Sequence, residues 1–107
     1  MSDLIPIVGS SEFDAATRSG MVLVDFFASW CRPCQMQLPI LEQILPNFEG
    51  RAKIIKVNTE QAQAVAARFG VQSIPTLVLL KDGKTVNLFV GLQHAETLIN
   101  AMEKALG

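Results

Sequence analysis

The chain has 107 residues, 50% of them hydrophobic, with nine basic and ten acidic side chains and a formal net charge of −1. That length suits one domain with its own core, the composition excludes a disordered chain, and balanced charge without a basic run argues against a nucleic-acid surface. The apolar runs are too short to span a bilayer, and the N-terminus MSDLIPIVGSSEF lacks the pattern of a secretory signal, so a single cytoplasmic domain over residues 1–107 is expected.

Leu4 to Val8 reads as a short edge strand, because Pro6 lacks a donor. The stretch S-E-F-D from Ser11 resembles a capping box and predicts a short helix, with Gly20 at its C-terminal cap. Met21 to Phe27, MVLVDFF, is apolar except for Asp25 and predicts a central strand covered on both faces. Leu38, Leu41, Ile44, Leu45 and Phe48 then recur at helical spacing and predict a long amphipathic helix. Pro39 should kink it, and Pro46 should loosen or end its last turn. Lys53 to Asn58 is the next strand, and Ala62, Val65, Ala66 and Phe69 mark a helix capped by Gly70. Thr76 to Leu80 and Thr85 to Val90 are strands joined at Asp82-Gly83, a strong hairpin signal. Leu98, Ala101, Met102 and Ala105 form the inner stripe of a final helix. The order β-α-β-α-β-α-β-β-α predicts an α/β fold with a mixed sheet of about five strands and helices on both faces. Strands joined through helices are expected to be parallel, and the hairpin antiparallel.

Between the central strand and the long helix lies ASWCRPCQ, which holds both cysteines and the one tryptophan. This spacing puts Cys31 at a helix N-terminus and Cys34 one turn in, on the same side and within reach of a disulfide. The unpaired N–H groups and the helix dipole favour a thiolate at Cys31, and the thiolate is the attacking species. Pro33 suits a first helical turn. Cys34 should be the more covered thiol and fits the resolving role. Cys31 would attack a partner's disulfide, and Cys34 would then attack Cys31, releasing the reduced partner and closing the internal bond. A static disulfide and a metal site are the competing readings. Structural zinc wants four ligands, and the chain adds only His94, which reads as solvent-facing before the last helix. A zinc shared across a dimer is a question for a metal assay. No bound cofactor or metal is expected.

VDFFASWCRPC, KVN, SIPT and FVG, in that order and at these separations, resemble the thioredoxin family over essentially the whole chain. The resemblance implies a thioredoxin fold and a thiol-disulfide oxidoreductase. In that comparison Cys31 is the nucleophile, Cys34 the resolving thiol and Asp25 a buried proton acceptor that Lys56 can modulate. Pro75 matches a cis-proline facing the disulfide. Trp30, Ile74, Pro75, Gly91 and Leu92 match an apolar surface where partners dock. The resemblance further implies protein-disulfide reduction, with electrons from NADPH through thioredoxin reductase, disulfide-containing proteins as substrates and a monomer as the working form. Arg32 stands where the family usually has glycine, Gln35 where lysine is frequent, Phe27 where a second tryptophan is common, and Thr59 and Ser73 also depart. Arg32 keeps a disulfide oxidase or isomerase in view as an alternative, and a non-catalytic binding subunit is the third reading. The run MVLVDFF independently suggests that Asp25 is buried, since both neighbours on each side are apolar.

Overall fold

The computed structural model describes residues 4–107. Helix α1 spans Ser10–Thr17, strand β1 Met21–Phe27, helix α2 Arg32–Ile44 and strand β2 Ala52–Asn58. Helix α3 follows at Gln63–Arg68, then strands β3 at Thr76–Lys81 and β4 at Lys84–Val90, and helix α4 at Ala95–Leu106. Among the described residues the sheet has four strands in the order β2-β1-β3-β4, with β1 parallel to β2 and antiparallel to β3.

The expected fifth strand is reduced to one bridge, Ile7 beside Lys56. The Val8 N–H donates to the Lys56 carbonyl at 2.8 Å, and the Lys56 N–H donates to the Pro6 carbonyl at 2.9 Å. The chain bends at Leu4 and Ile5, and Pro6 has no N–H to extend the ladder. A second expectation is also corrected: β2 and β3, though joined through α3, run in opposite directions. Strand β2 ends level with the end of β1, and β3 begins there too, with Thr76 opposite Phe26. A six-residue helix of about 9 Å cannot return the chain along a seven-residue strand of about 23 Å. The chain re-enters the sheet from the end it left.

Side-chain alternation divides the core in two. Met21, Leu23, Ile54, Leu77 and Leu79 face α2 and α4, meeting Leu41, Ile44, Phe48, Leu98 and Met102. Val22, Val24, Phe26, Ile55, Val57, Val78 and Leu80 face α1 and α3, meeting Phe13, Val65 and Ala66. By the same alternation Asp25 and Lys56, paired across β1 and β2, point to the α2 side.

Helix ends follow local chemistry, with one exception. Helix α1 starts one residue before the suggested capping box, with Gly9 as its N-cap and no side-chain cap bond. Ser11, now inside the first turn, donates instead to the Glu12 carboxylate. Gly20, at φ +77°, lies two residues beyond the C-cap Arg18 and turns the chain into β1. Helix α2 runs through Pro39 as one element. It becomes a 3-10 helix over Leu45–Phe48, where Pro46 cannot donate to the helical ladder. Helix α3 ends in a Schellman motif: Val71 N–H donates to Ala66 O and Gly70 N–H to Ala67 O, both at 3.0 Å. Asp82 and Gly83 both take positive φ, 51° and 82°, as a two-residue hairpin turn of the primed kind requires.

Candidate active site

Strand β1 delivers the chain to the sheet's end, where the cysteines cap α2. Cys31 is the N-cap residue, in extended conformation, and its sulfur accepts the Cys34 N–H at 3.2 Å. Pro33 lies in the first turn, where its missing donor has no helical partner to lose. Cys31 and Cys34 are joined as a disulfide, with Cα atoms 5.2 Å apart. The expectation that Cys34 is the better covered is not met, since the two residues are 4% and 5% exposed. Their difference is one of surroundings. Cys34 lines a cavity of about 610 Å³ with Asp25, Lys56, Phe27 and Leu38. Cys31 instead faces the loop before β3, its sulfur 3.8 Å from the Ile74 carbonyl oxygen.

Asp25 is 1% exposed, and its Oδ1 has no hydrogen-bond partner. Burial disfavours its charge and raises its pKa from 3.8 to about 7, although the positive charge of Lys56 pulls the other way. Lys56 is itself buried rather than solvated. Its Nζ lies 5.6 Å from the centre of the Phe27 ring. Lysine stems pack on apolar surface while the ammonium seeks polar or aromatic company.

Of the remaining sequence-predicted residues, Ile74 packs against the cysteines. The Ile74–Pro75 peptide is cis, Pro75 is buried, and Ile74 is partly exposed beside the cysteines. Gly91, at φ +89°, donates its N–H to the Pro75 carbonyl at 2.8 Å, which ties the end of β4 to the start of β3. Leu92 is partly exposed next to it. Trp30 is 67% exposed, and its indole N–H donates to Glu60 at 2.8 Å. Arg32 is exposed on the first turn of α2. His94 is exposed at the N-cap of α4 and makes no side-chain cap bond. Among the described residues no three His, Cys, Asp or Glu side chains gather as a metal site.

The sequence reading gave no role to three residues near the site. Glu60 holds Trp30. Thr59 donates both its N–H and its hydroxyl to the Phe27 carbonyl, at 2.9 and 3.3 Å, which fastens the ends of β1 and β2. Gln37 is fully buried and pairs with the backbone of Gln93. The first two carry no periodic signal. Gln37 does carry one, because with Cys34, Leu41 and Ile44 it completes the buried stripe of α2.

The thioredoxin family model matches residues 5–104. Curated thioredoxins from Staphylococcus aureus, strains COL and Mu50 among them, are 42% identical over 99 residues, covering 92% of this chain and 95% of theirs. A mutant thioredoxin from Halobacterium salinarum superimposes with a TM-score of 0.86 at 36% identity, covering 96% of this chain and 90% of that one. With a disulfide at the N-terminus of α2 in a mixed sheet flanked by helices, the chain belongs to the thioredoxin family, the thiol-disulfide oxidoreductases that reduce protein disulfides through a reversible cysteine pair.

Proposed function

We propose that Cys31 is the nucleophile, Cys34 the resolving thiol and Asp25 the proton acceptor for Cys34. The observation that carries this division is the cavity that Cys34, and not Cys31, shares with a buried carboxyl lacking a partner at Oδ1. In the reduced protein the Cys31 thiolate attacks one sulfur of a partner's disulfide and expels the other as a thiolate. The Cys34 thiol then loses its proton to Asp25 and attacks the Cys31 sulfur. That breaks the mixed disulfide, expels the partner's second thiolate and leaves the partner reduced by two electrons. A carboxyl with a pKa of about 7 suits proton exchange near neutral pH. Lys56 modulates it by charge. Arg32 and Pro33 tune the pair, the first by its charge beside the Cys31 thiolate.

Trp30, Ile74, Pro75, Gly91 and Leu92 form the docking surface in this reading. A partner's backbone can approach at the carbonyl of Ile74 and over the side-chain-free Gly91. The partners are disulfide-containing proteins and a thioredoxin reductase, which passes electrons from NADPH to the disulfide. The working form is a monomer of one domain, residues 1–107, in the cytoplasm. No helix among the described residues is long and apolar enough to cross a membrane.

The test is trapping combined with a pH series. Cys34→Ser should accumulate a stable mixed disulfide between Cys31 and a protein substrate. Asp25→Asn should slow resolution near neutral pH, where Asp25 is partly ionised and can accept a proton, and should remove the step near pH 7 from the pH profile. Trapping through Cys34 in a Cys31→Ser protein would reverse the assignment. An unchanged pH profile would remove Asp25 from the chemistry.

A further inference from the structure

Gln37 is the one amide in the buried stripe of α2, one turn after Cys34. A leucine there would fill the same space without hydrogen-bonding demands, so the position asks what the amide does. Both ends of the side chain are used on a single residue. Gln37 Nε2 donates to the Gln93 carbonyl at 3.0 Å, and the Gln93 N–H donates to Gln37 Oε1 at 2.8 Å. This reciprocal pair copies the bonding between two antiparallel strands, with a side chain standing in for one of them. Gln93 passes the constraint on. Its side-chain Nε2 donates to the carbonyls of Gly91, at 3.1 Å, and Val90, at 3.3 Å. Gly91 in turn donates to Pro75, and the preceding Ile74 carbonyl lies 3.8 Å from the Cys31 sulfur. The links run from the helix that carries both thiols, through the loop after β4, and back to the nucleophile.

We propose that Gln37 is a positioning residue that holds the Gly91–Gln93 loop in register with the cysteines, so that a protein substrate meets the docking surface and the nucleophile in one fixed geometry. This rests on the reading that Gly91 and Leu92 dock partners. Gln37 touches neither thiol, so it acts on where a partner sits and not on sulfur chemistry. A loop held only by its own turn would sample several positions, and a partner binding one of them would be weakened by the fraction of time spent in the others.

The test compares a disulfide-containing protein, insulin, with a small disulfide, dithiodipyridine, which has no surface to dock. Dithiothreitol regenerates the dithiol in the insulin assay, whereas dithiodipyridine is mixed with the pre-reduced protein freed of dithiothreitol, so that Cys31 and Cys34 are the only electron source. In Gln37→Leu the partly buried N–H and carbonyl of Gln93 lose their partners, and KM for insulin should rise about tenfold, with kcat unchanged within about twofold. The rate with dithiodipyridine and the reduction potential should not move. Amide exchange at Gly91 and Gln93 should quicken while that of β1 stays slow. Gln93→Ala, at a partly exposed position, cuts the next link without touching α2 and should raise KM for insulin in the same direction. It decides the matter if Gln37→Leu fails to fold. Equal slowing with both substrates, or an unchanged KM for insulin in folded protein, overturns the proposal. Leu92→Asp separates the two claims. If it raises KM for insulin and the glutamine variants do not, the clamp alone is wrong. If it leaves KM unchanged, the docking reading fails and the clamp loses its purpose.

Discussion

The sheet face beneath α1 and α3 contributes Val22, Val24, Phe26, Ile55, Val57, Val78 and Leu80 to its core. The face beneath α2 and α4 starts in the same way, with Met21, Leu23 and Ile54, and then sets Asp25 beside Lys56. One strand, β1, supplies both faces by alternation. The first face obeys burial alone. The second breaks the rule that a buried charged group is paired, and the break opens into the cavity that Cys34 lines. On the proposed reading, this break beside Cys34 marks where stability is given up for chemistry.

Four changes break or sharpen this comparison. The largest effect is expected at the sulfur itself. Cys31→Ser should abolish disulfide reduction while leaving the fold intact, as read by turnover and by circular dichroism. On the purely apolar face, Phe26→Ala removes a fully buried ring that packs 5.7 Å from Phe69. It should cost about 3–5 kcal/mol in urea unfolding without altering the pH dependence of turnover in the folded protein. A changed pH profile would show that the two faces are not functionally separate.

Asp25→Ala should move stability the other way, and only above acid pH. The folded pKa of Asp25, about 7, exceeds its unfolded value. Below about pH 4 both states hold the proton, so its protonation costs folding nothing there. As pH rises toward 7 the unfolded chain releases the proton more readily, and stability falls until the folded group has titrated as well. The full loss is on the order of 4 kcal/mol at most, from about three pK units. After a cavity cost, Asp25→Ala should be more stable than the parent by about 1–3 kcal/mol at pH 8 and show no gain at pH 4. Equal stability at both pH values would mean that the carboxyl finds a partner in solution.

The smallest effect is expected at Arg32. Its exposed guanidinium is screened by solvent, so Arg32→Gly should lower the potential of the pair by no more than tens of millivolts, measured against glutathione. No change, or a rise, would show that the charge does not favour the Cys31 thiolate.

Much of this was legible in the chain. Residues Met21–Phe27, the WCRPC turn, the Asp82-Gly83 hairpin and the Gly70 cap each carry a local signal, and each forms as expected. What failed depended on distance. Whether Leu4–Val8 completes a strand depends on how far the edge of β2 accepts pairing, and Pro6 limits that to one bridge. The direction of β3 depends on how far α3 reaches, a length the connectivity rule ignores. The site divides in the same way. The pairing of Cys31 with Cys34 and the burial of Asp25 were readable because each residue is out of place in its own segment. Gln37 and Glu60 pair with Gln93 and Trp30, fifty-six and thirty residues away, and nothing local announces that.

The carboxylate in MVLVDFF has one more consequence, which begins before there is a fold. Without Asp25 the run would be seven uncharged, strand-forming residues, the kind of window that pairs with copies of itself. Strand β1 sits between partners that come later in the chain, at 52–58 and 76–81, so it must wait for both while the polypeptide is being made. Throughout that wait Asp25 is in water with an ordinary carboxylate pKa and carries its full charge at neutral pH. It loses part of that charge only on burial, when its neighbours in the sheet have already taken the strand's hydrogen bonds. The side chain expected to weaken the folded molecule is thus also expected to keep the unfolded chain from pairing with its copies. Asp25→Ala should be firmer once folded yet scatter more light while refolding from urea, and equal scattering would leave the carboxylate with catalysis as its single purpose.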